Sequence, residues 1–498
     1  MKKLLLSLVV VLAGCGGGSG SNTSTSQPNS PAETSGVAQQ NVSIAPVELS
    51  TGPLFDTTPI LLPDLKAKYD LLCGSQVNVQ NAIVIDLNND GKKDLVFNLW
   101  CKHSSEVYYG PTTNTIVALI QLSDGTFVDK TKEIFGSDIV DIGGVGSGYV
   151  TADFNGDGYN DIVFAVSHED GRGNEGGESK NMMSQTVAFM SDGNGHYSQN
   201  RFGSIKWGDD VKLLKDTNGK NMALILPAGY STPEVWSFNG TWNQITSYDW
   251  LQKNPVMLGS TMINKYDNGT KFEIWNLING VWNMLSSYTF LSRTTIPIVS
   301  NGITSTANIF RVDNNDYIDY GGLYEGCSLK RTSNGPQEVI YAFLGQQILG
   351  GYHGQTIYDV YSPPTLKLIS LGVTAQSTTL NPVTITTDNL DGNFYHIECV
   401  DLNGDGLDDI LIRTAGNPIV YINNGNGNFE KLISNSIPVA PRGASEIYVD
   451  LDGDGVKDLL YFPIDRWQFD LGNYNKVQFK LYKGKRNVRP TEISFFSH

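Results

Sequence analysis

The sequence predicts an all-β fold assembled from repeated strand–loop–strand units, and three observations carry this. Four nine-residue acidic segments recur, each bracketed by short runs of β-branched, aliphatic and aromatic residues. Asn-Gly and Asp-Gly steps recur between further such runs, where they favour tight hairpin turns. The composition, with 53 Gly in 498 residues and only 17% charged residues, suits many short strands joined by tight turns better than helices. A repeat architecture can hold this length in one domain, so repeats are sought before separate domains.

At the N-terminus, Lys2 and Lys3 precede the apolar run Leu4 to Leu12, which is too short to span a bilayer as a permanent helix. The run ends in Leu12-Ala13-Gly14-Cys15, which resembles the bacterial lipobox, where the Cys takes a palmitate-type lipid and becomes the first mature residue. That resemblance implies a lipoprotein signal peptide over 1–15, lipidation at Cys15, and a lipid anchor in the bacterial cell envelope, at the outer membrane or cell surface. From Gly16 to Gln40 the chain is mostly Gly, Ser, Thr, Asn, Gln and Pro with almost no large apolar residue, so it cannot bury enough surface to fold. The expected layout is a flexible tether over 16–48 and a folded body over 49–498, with Phe55 the first aromatic residue.

Of the five Cys, lipidation uses Cys15 and leaves Cys73, Cys101, Cys327 and Cys399. Three pairings are open, and the sequence-local one joins Cys73 to Cys101 and Cys327 to Cys399. Disulfides suit an exported protein, and no CxxC or Cys/His cluster points to a metal or redox centre. The net charge of −16 argues against a nucleic-acid partner, since phosphate binding needs a basic face.

The acidity is concentrated in the four repeated segments. Positions 1, 3, 5 and 9 are Asp86, Asn88, Asp90 and Asp94 in the first, and Asp153, Asn155, Asp157 and Asp161 in the second. They are Asp401, Asn403, Asp405 and Asp409 in the third, and Asp450, Asp452, Asp454 and Asp458 in the fourth. Calcium is a hard cation that takes six to eight oxygens at about 2.3–2.6 Å, and alternate residues of a curled loop can point inward together. Gly at position 6 allows the backbone to turn around the ion. The position-7 carbonyl then becomes a further ligand, at Lys92, Tyr159, Leu407 and Val456, and the variety of these side chains suits a backbone role. About four calcium sites are expected.

Position 12 separates the families that use such loops. An EF-hand or dockerin places an acid there, usually on a helix, whereas here it is Phe97, Phe164, Ile412 and Tyr461, within strand-like runs. Strand, calcium loop, strand is a unit that resembles the FG-GAP, or VCBS, repeat of integrin α-subunits and bacterial surface proteins. That resemblance implies a β-propeller in which each loop joins two strands of a blade. The middle of the chain must supply the remaining blades. Hairpins are expected at Val117 to Phe127, Val187 to Tyr197, Val235 to Trp242, Ile274 to Trp282 and Val420 to Phe429, with Trp236, Trp242, Trp275 and Trp282 packed between sheets. Degenerate loops occur at Asp216 to Asn218 and around Asp313, Asp316 and Asp319. The count supports seven blades, or eight. A propeller must also bring its ends together, so the blades holding Asp86 and Asp450 are expected to be neighbours, clasped by a strand from one terminus.

Two function classes follow. One is a cell-adhesion or recognition protein whose calcium-stiffened blades bind a carbohydrate or protein ligand. Its candidate ligand loop is the polar insertion containing His168, Glu169, Arg172 and Glu175, which also reads as a solvated loop. The other is an extracellular polysaccharide lyase or hydrolase, because a fold does not decide its chemistry. No HExxH or G-x-S-x-G motif is present. An enzyme of the second class needs an axial cleft holding two carboxylates, or a base with Arg or Lys, outside the four loops.

Overall fold

The computed structural model describes residues 50–73, 77–101, 115–140, 142, 145–167, 184–206, 208–227, 232–247, 255–266, 271–289, 293–300, 303–312, 315–348, 352–353, 356–358, 361–371, 383–389, 394–414, 418–432, 437–438, 444–463, 479–486 and 488–490. Contacts divide the chain into Met1–Val47 and Glu48–His498, and every described residue belongs to the second unit.

Strand alternation makes the blades. In Asp94–Cys101, Leu95, Phe97 and Leu99 face one cluster of buried residues, whereas Val96 faces another. In Asp161–Ser167, Ile162, Phe164 and Val166 likewise go one way, and Val163 and Ala165 the other. Successive side chains of a strand point to opposite faces, so a run apolar at every position is buried on both faces. A sheet sandwiched between two others meets that demand.

Six four-stranded antiparallel sheets of blade form are present among the described residues. The first four run consecutively along the chain, from Val77–Ile85 to Phe127–Asp129, Val145–Ala152 to Tyr197–Lys206, Gly208–Lys215 to Trp242–Ser247, and Val256–Leu258 to Val281–Thr289. The fifth runs from Phe394–Val400 to Phe429–Lys431. The sixth takes Ala444–Val449, Asp458–Pro463 and Lys480–Tyr482 from the C-terminal side and Ile60–Leu61 from the N-terminal side. The all-β propeller reading holds, but the blade count of seven or eight is corrected to six. Residues 293–389 build one eight-stranded sheet instead of further regular blades. Its long strand Asn315–Lys330 pairs with Ile303–Val312 over one end and with Gln337–Ile348 over most of its length, and its register shifts twice. Asp316 and Asp319 lie inside that paired strand, opposite Arg311 and Gly345, so no degenerate loop forms around them; Asp313 is outside the described residues.

All five expected hairpins are present as third and fourth strands of blades. The Trp residues pack between sheets. Trp242 stacks on Phe202 of the second blade at 4.1 Å, and Trp236 meets the same ring edge-on at 5.3 Å. Trp275 and Trp282 pack against the cluster shared by the third and fourth blades.

The first strands of the blades touch in turn, from Val77–Ile85 through Val145–Ala152 and Gly208–Lys215 to Val256–Leu258, and the interior strand Asn315–Lys330 of the eight-stranded sheet then links Val256–Leu258 to Phe394–Val400. Buried clusters fill the spaces between sheets, and Phe272 meets Tyr341 at 5.0 Å between the fourth blade and the eight-stranded sheet. The ring closes where Leu95, Phe97 and Leu99 pack with Leu460, Phe462, Phe479 and Leu481. The N-terminal strand pairs there, with Ile60 opposite Leu481, and Ser50–Gly52 runs parallel to Val488–Pro490. The expected clasp is therefore present, with the N-terminus adding the fourth strand to the last blade.

Candidate metal loops and the axial cavity

Each acidic segment joins the first and second strands of its blade. Position 6 adopts the left-handed backbone in all four, with φ of 86°, 89°, 86° and 88° at Gly91, Gly158, Gly406 and Gly455. Side chains without a Cβ penalty are required there. The third blade has a turn at the same place, where Asp216 accepts from the Asn218 and Lys220 N–H groups, but it has no further acids.

The loops share one hydrogen-bond plan. The position-1 carboxylate accepts from the position-6 N–H at 2.9, 3.0, 2.8 and 2.9 Å in the four loops. The position-5 carboxylate accepts from the position-7 N–H of Lys92, Tyr159, Leu407 and Val456 at 2.9, 2.8, 2.9 and 2.8 Å. The position-3 side chain accepts from the position-5 N–H. These bonds turn the first three oxygen-bearing positions toward one another. In the fourth loop, one oxygen from each of Asp450, Asp452 and Asp454 lies within 4.8 Å of the others. Oxygens held at about 2.3–2.6 Å from a shared calcium are no farther apart than about 5 Å, so this donor set fits that ion.

Position 9 behaves differently. Asp94, Asp161 and Asp409 are fully buried and Asp458 nearly so. One oxygen of each accepts from the position-2 N–H, of Leu87, Phe154, Leu402 and Leu451. The other accepts from the end of the third strand, at the N–H of Gln121, Ser191 and Asn423, or just beyond it at Gly484. These carboxylates therefore tie loop to sheet. Burial pushes Asp94 and Asp458 up to about 6, Asp161 up to about 7 and Asp409 well above the ordinary carboxylate range, against the opposing effect of the backbone N–H groups.

The four loops form a continuous arc across the ring closure. The third and fourth touch where a Cβ on Gly404 would lie 2.7 Å from Val456. The fourth and first are joined by the Lys93 N–H donating to the Leu451 carbonyl at 3.3 Å. The first and second are joined by Tyr197, whose hydroxyl reaches the Leu87 and Asn160 carbonyls at 3.3 and 2.9 Å.

A cavity of about 750 Å³ is lined by the first strands of several sheets, which places it on the propeller axis. Tyr149, Ser328, Glu398 and Tyr448 face it, together with Cys327 and Cys399. Those two cysteines are bonded, tying the eight-stranded sheet to the fifth blade. Cys73 and Cys101 lie outside the described side chains, and Cys15 and the loop of His168, Glu169, Arg172 and Glu175 lie outside the described residues.

Arg413 pairs with Glu398 at 3.0 Å, and its charge also acts on buried Glu446 of the next blade. Burial, reinforced by Glu398, pushes Tyr149 up to about 12, and burial with Glu446 pushes Tyr448 well above its ordinary value. Sequence reasoning missed this group. Its one signal is charge inside apolar strand runs, at Ile397-Glu398-Cys399 and Ile410-Leu411-Ile412-Arg413.

Repeated acidic loops on successive blades of a closed ring define a repeat type of β-propeller. The FG-GAP-like repeat matches residues 86–164 and 401–461, two stretches that begin at position 1 of the first and third loops and together contain all four. The chain is a β-propeller that carries FG-GAP-like repeats in these two stretches. No curated protein matches it in sequence. Among solved structures, rhamnogalacturonan lyase YesW is similar with a TM-score of 0.40 and 12% identity, over 89% of this chain and 76% of that one. The Bacillus licheniformis rhamnogalacturonan lyase PL11 has a TM-score of 0.35 and 12% identity, with the same coverage of each. An Agrocybe aegerita lectin that recognises non-reducing terminal N-acetylglucosamine has a TM-score of 0.28 and 13% identity, over 77% of this chain and 75% of that one. Likeness at this level does not bear on what the chain binds.

Proposed function

We propose that this is a cell-surface lipoprotein, held by a lipid on Cys15 beyond a tether over 16–48. Its propeller is stiffened by calcium in four blade loops and binds a carbohydrate or protein ligand. The observation that carries the reading is the shared loop plan: oxygen-bearing side chains turned inward at positions 1, 3 and 5, on a left-handed Gly at position 6. Rigid blades suit recognition because ordering a loop in advance lowers the entropic cost of binding. A glycan-array and protein-ligand screen, run in calcium and again in chelator, tests it. Calcium-dependent capture of a defined ligand is expected, and binding that ignores chelation would contradict it. For the anchor, Cys15→Ser should release the protein from the membrane fraction; a variant that still fractionates wholly with membranes contradicts the lipid.

The enzymatic reading stands second, and one observation favours it: Glu398 and Arg413 beside an axial cavity. Two others weigh against it. Glu446 is buried away from the cavity lining, so the two carboxylates do not flank one substrate bond. The lining Tyr hydroxyls are pushed up, which is the wrong direction for a general base. Turnover of a polysaccharide by the wild type but not by Glu398→Gln would reverse this ranking.

A further inference from the structure

The fourth loop departs from the other three at position 3, where Asp452 stands in place of Asn88, Asn155 and Asn403. In those three loops the Asn amide donates to the position-5 carboxylate, at 3.2, 3.0 and 3.3 Å. Asp452 has no such donor, and its charge lies within 4.8 Å of the oxygens of Asp450 and Asp454. Like charges at that separation repel.

A cation from outside the loop fills the gap. Lys483 Nζ sits 2.6 Å from Asp452 Oδ2. Lys483 opens a short strap, residues 483–486, laid over the loop. The Gly484 N–H donates to Asp458 at 2.9 Å. The Arg486 guanidinium donates to the Asp454 carbonyl and, at 3.1 Å, to the Gly404 carbonyl of the third loop. The strap is pinned by the N-terminal segment, through Asp56 N–H to the Lys483 carbonyl and Lys485 N–H to the Leu54 carbonyl, both at 2.8 Å. In the first loop Lys92, a residue of the loop itself, lies 3.7 Å from Asp90, whereas the loop with the extra carboxylate takes its lysine at 2.6 Å from outside, and that lysine stands on the ring closure.

We propose that Lys483 is a built-in counter-charge that sets the calcium affinity of the fourth loop and couples that site to ring closure. The inference rests on the calcium reading. Asp452 gives this loop one more ligand-position carboxylate than its sisters have, and Lys483 offsets that added charge. Without metal, the ammonium relieves the repulsion. When calcium enters, the same ammonium opposes it across the shared carboxylate.

Calorimetric calcium titration and thermal melting of the full chain test this with four variants. Asp454→Asn identifies the fourth site by deleting it from the titration. Lys483→Gln should tighten that site by roughly tenfold, the order expected for a partly screened charge beside a dication, and should lower the melting temperature in chelator. Asp452→Asn added to Lys483→Gln recreates the form of the other loops and should reverse both effects, whereas Lys483→Arg should preserve the wild-type values. If Asp454→Asn removes one site but Lys483→Gln leaves its affinity unchanged, the lysine is an ordinary surface ion pair, and the inference fails while the calcium reading stands. If the wild type takes up no calcium, both fail.

Discussion

At the scale of single residues, the two kinds of loop carboxylate separate cleanly. Asp94 satisfies the Leu87 and Gln121 N–H groups from a buried position, while Asp90 is exposed and accepts mainly within its own loop. Asp94→Ala would strand two buried donors, so unfolding in chelator should cost about 2–4 kcal/mol less than in the wild type. Asp90→Ala should change little in chelator and lose most of its stabilisation by calcium; chemical denaturation in both conditions reads the difference. The raised position-9 groups also have a pH signature. In the metal-free protein they bind protons up to about 6 or 7, whereas in the unfolded chain they release them near 4. Between those limits the native state holds more protons, so stability falls as pH rises. Chelated protein should therefore melt at a higher temperature at pH 5 than at pH 8. Calcium, which needs these groups ionised, should restore more stability at pH 8 than at pH 5.

At the scale of elements, what was legible in the sequence was local. The Asp/Gly spacing of a loop and the Asn-Gly step of a hairpin each specify their own backbone, so all four loops and all five hairpins stand where the residues place them. The eight-stranded sheet was not legible. Its long strand Asn315–Lys330 carries no turn signal where it changes partner, and the register shifts between Asp319 and Gly322 and between Leu323 and Gly326 are set by the strands alongside. The Glu398–Arg413 pair and its neighbour Glu446 were hidden for the same reason, since strand pairing and blade packing bring them together. The disulfide between Cys327 and Cys399 closes 72 residues around most of that sheet. Replacing both cysteines by Ser should lower stability by about 4 kcal/mol in the chain-entropy view, read as a shift in denaturation midpoint. An unchanged midpoint would show that the sheet is held by pairing alone.

At the scale of the whole molecule, closure and the acidic loops occupy the same seam. The last blade is completed by Ile60–Leu61, and Phe479 packs edge-on against Phe97 of the first blade at 4.9 Å. Truncation after Gly472 removes Phe479, the strand Lys480–Tyr482 and the strap over the fourth loop together. It should expose an apolar edge and cause aggregation or loss of folding, visible by size-exclusion chromatography. A monomeric product with the wild-type melting temperature would contradict closure at this seam. The arc of loops across it gathers thirteen Asp at the positions proposed as ligands, whose mutual repulsion bound calcium would neutralise. An ion that binds only the native state adds RT ln(1 + [L]/Kd), about 2.7 kcal/mol per site at a hundredfold excess over Kd. The most direct test of the account is a calorimetric melt of the full chain in calcium and in chelator. A transition raised by calcium and lowered by chelation is the predicted result, and identical transitions in the two would contradict it.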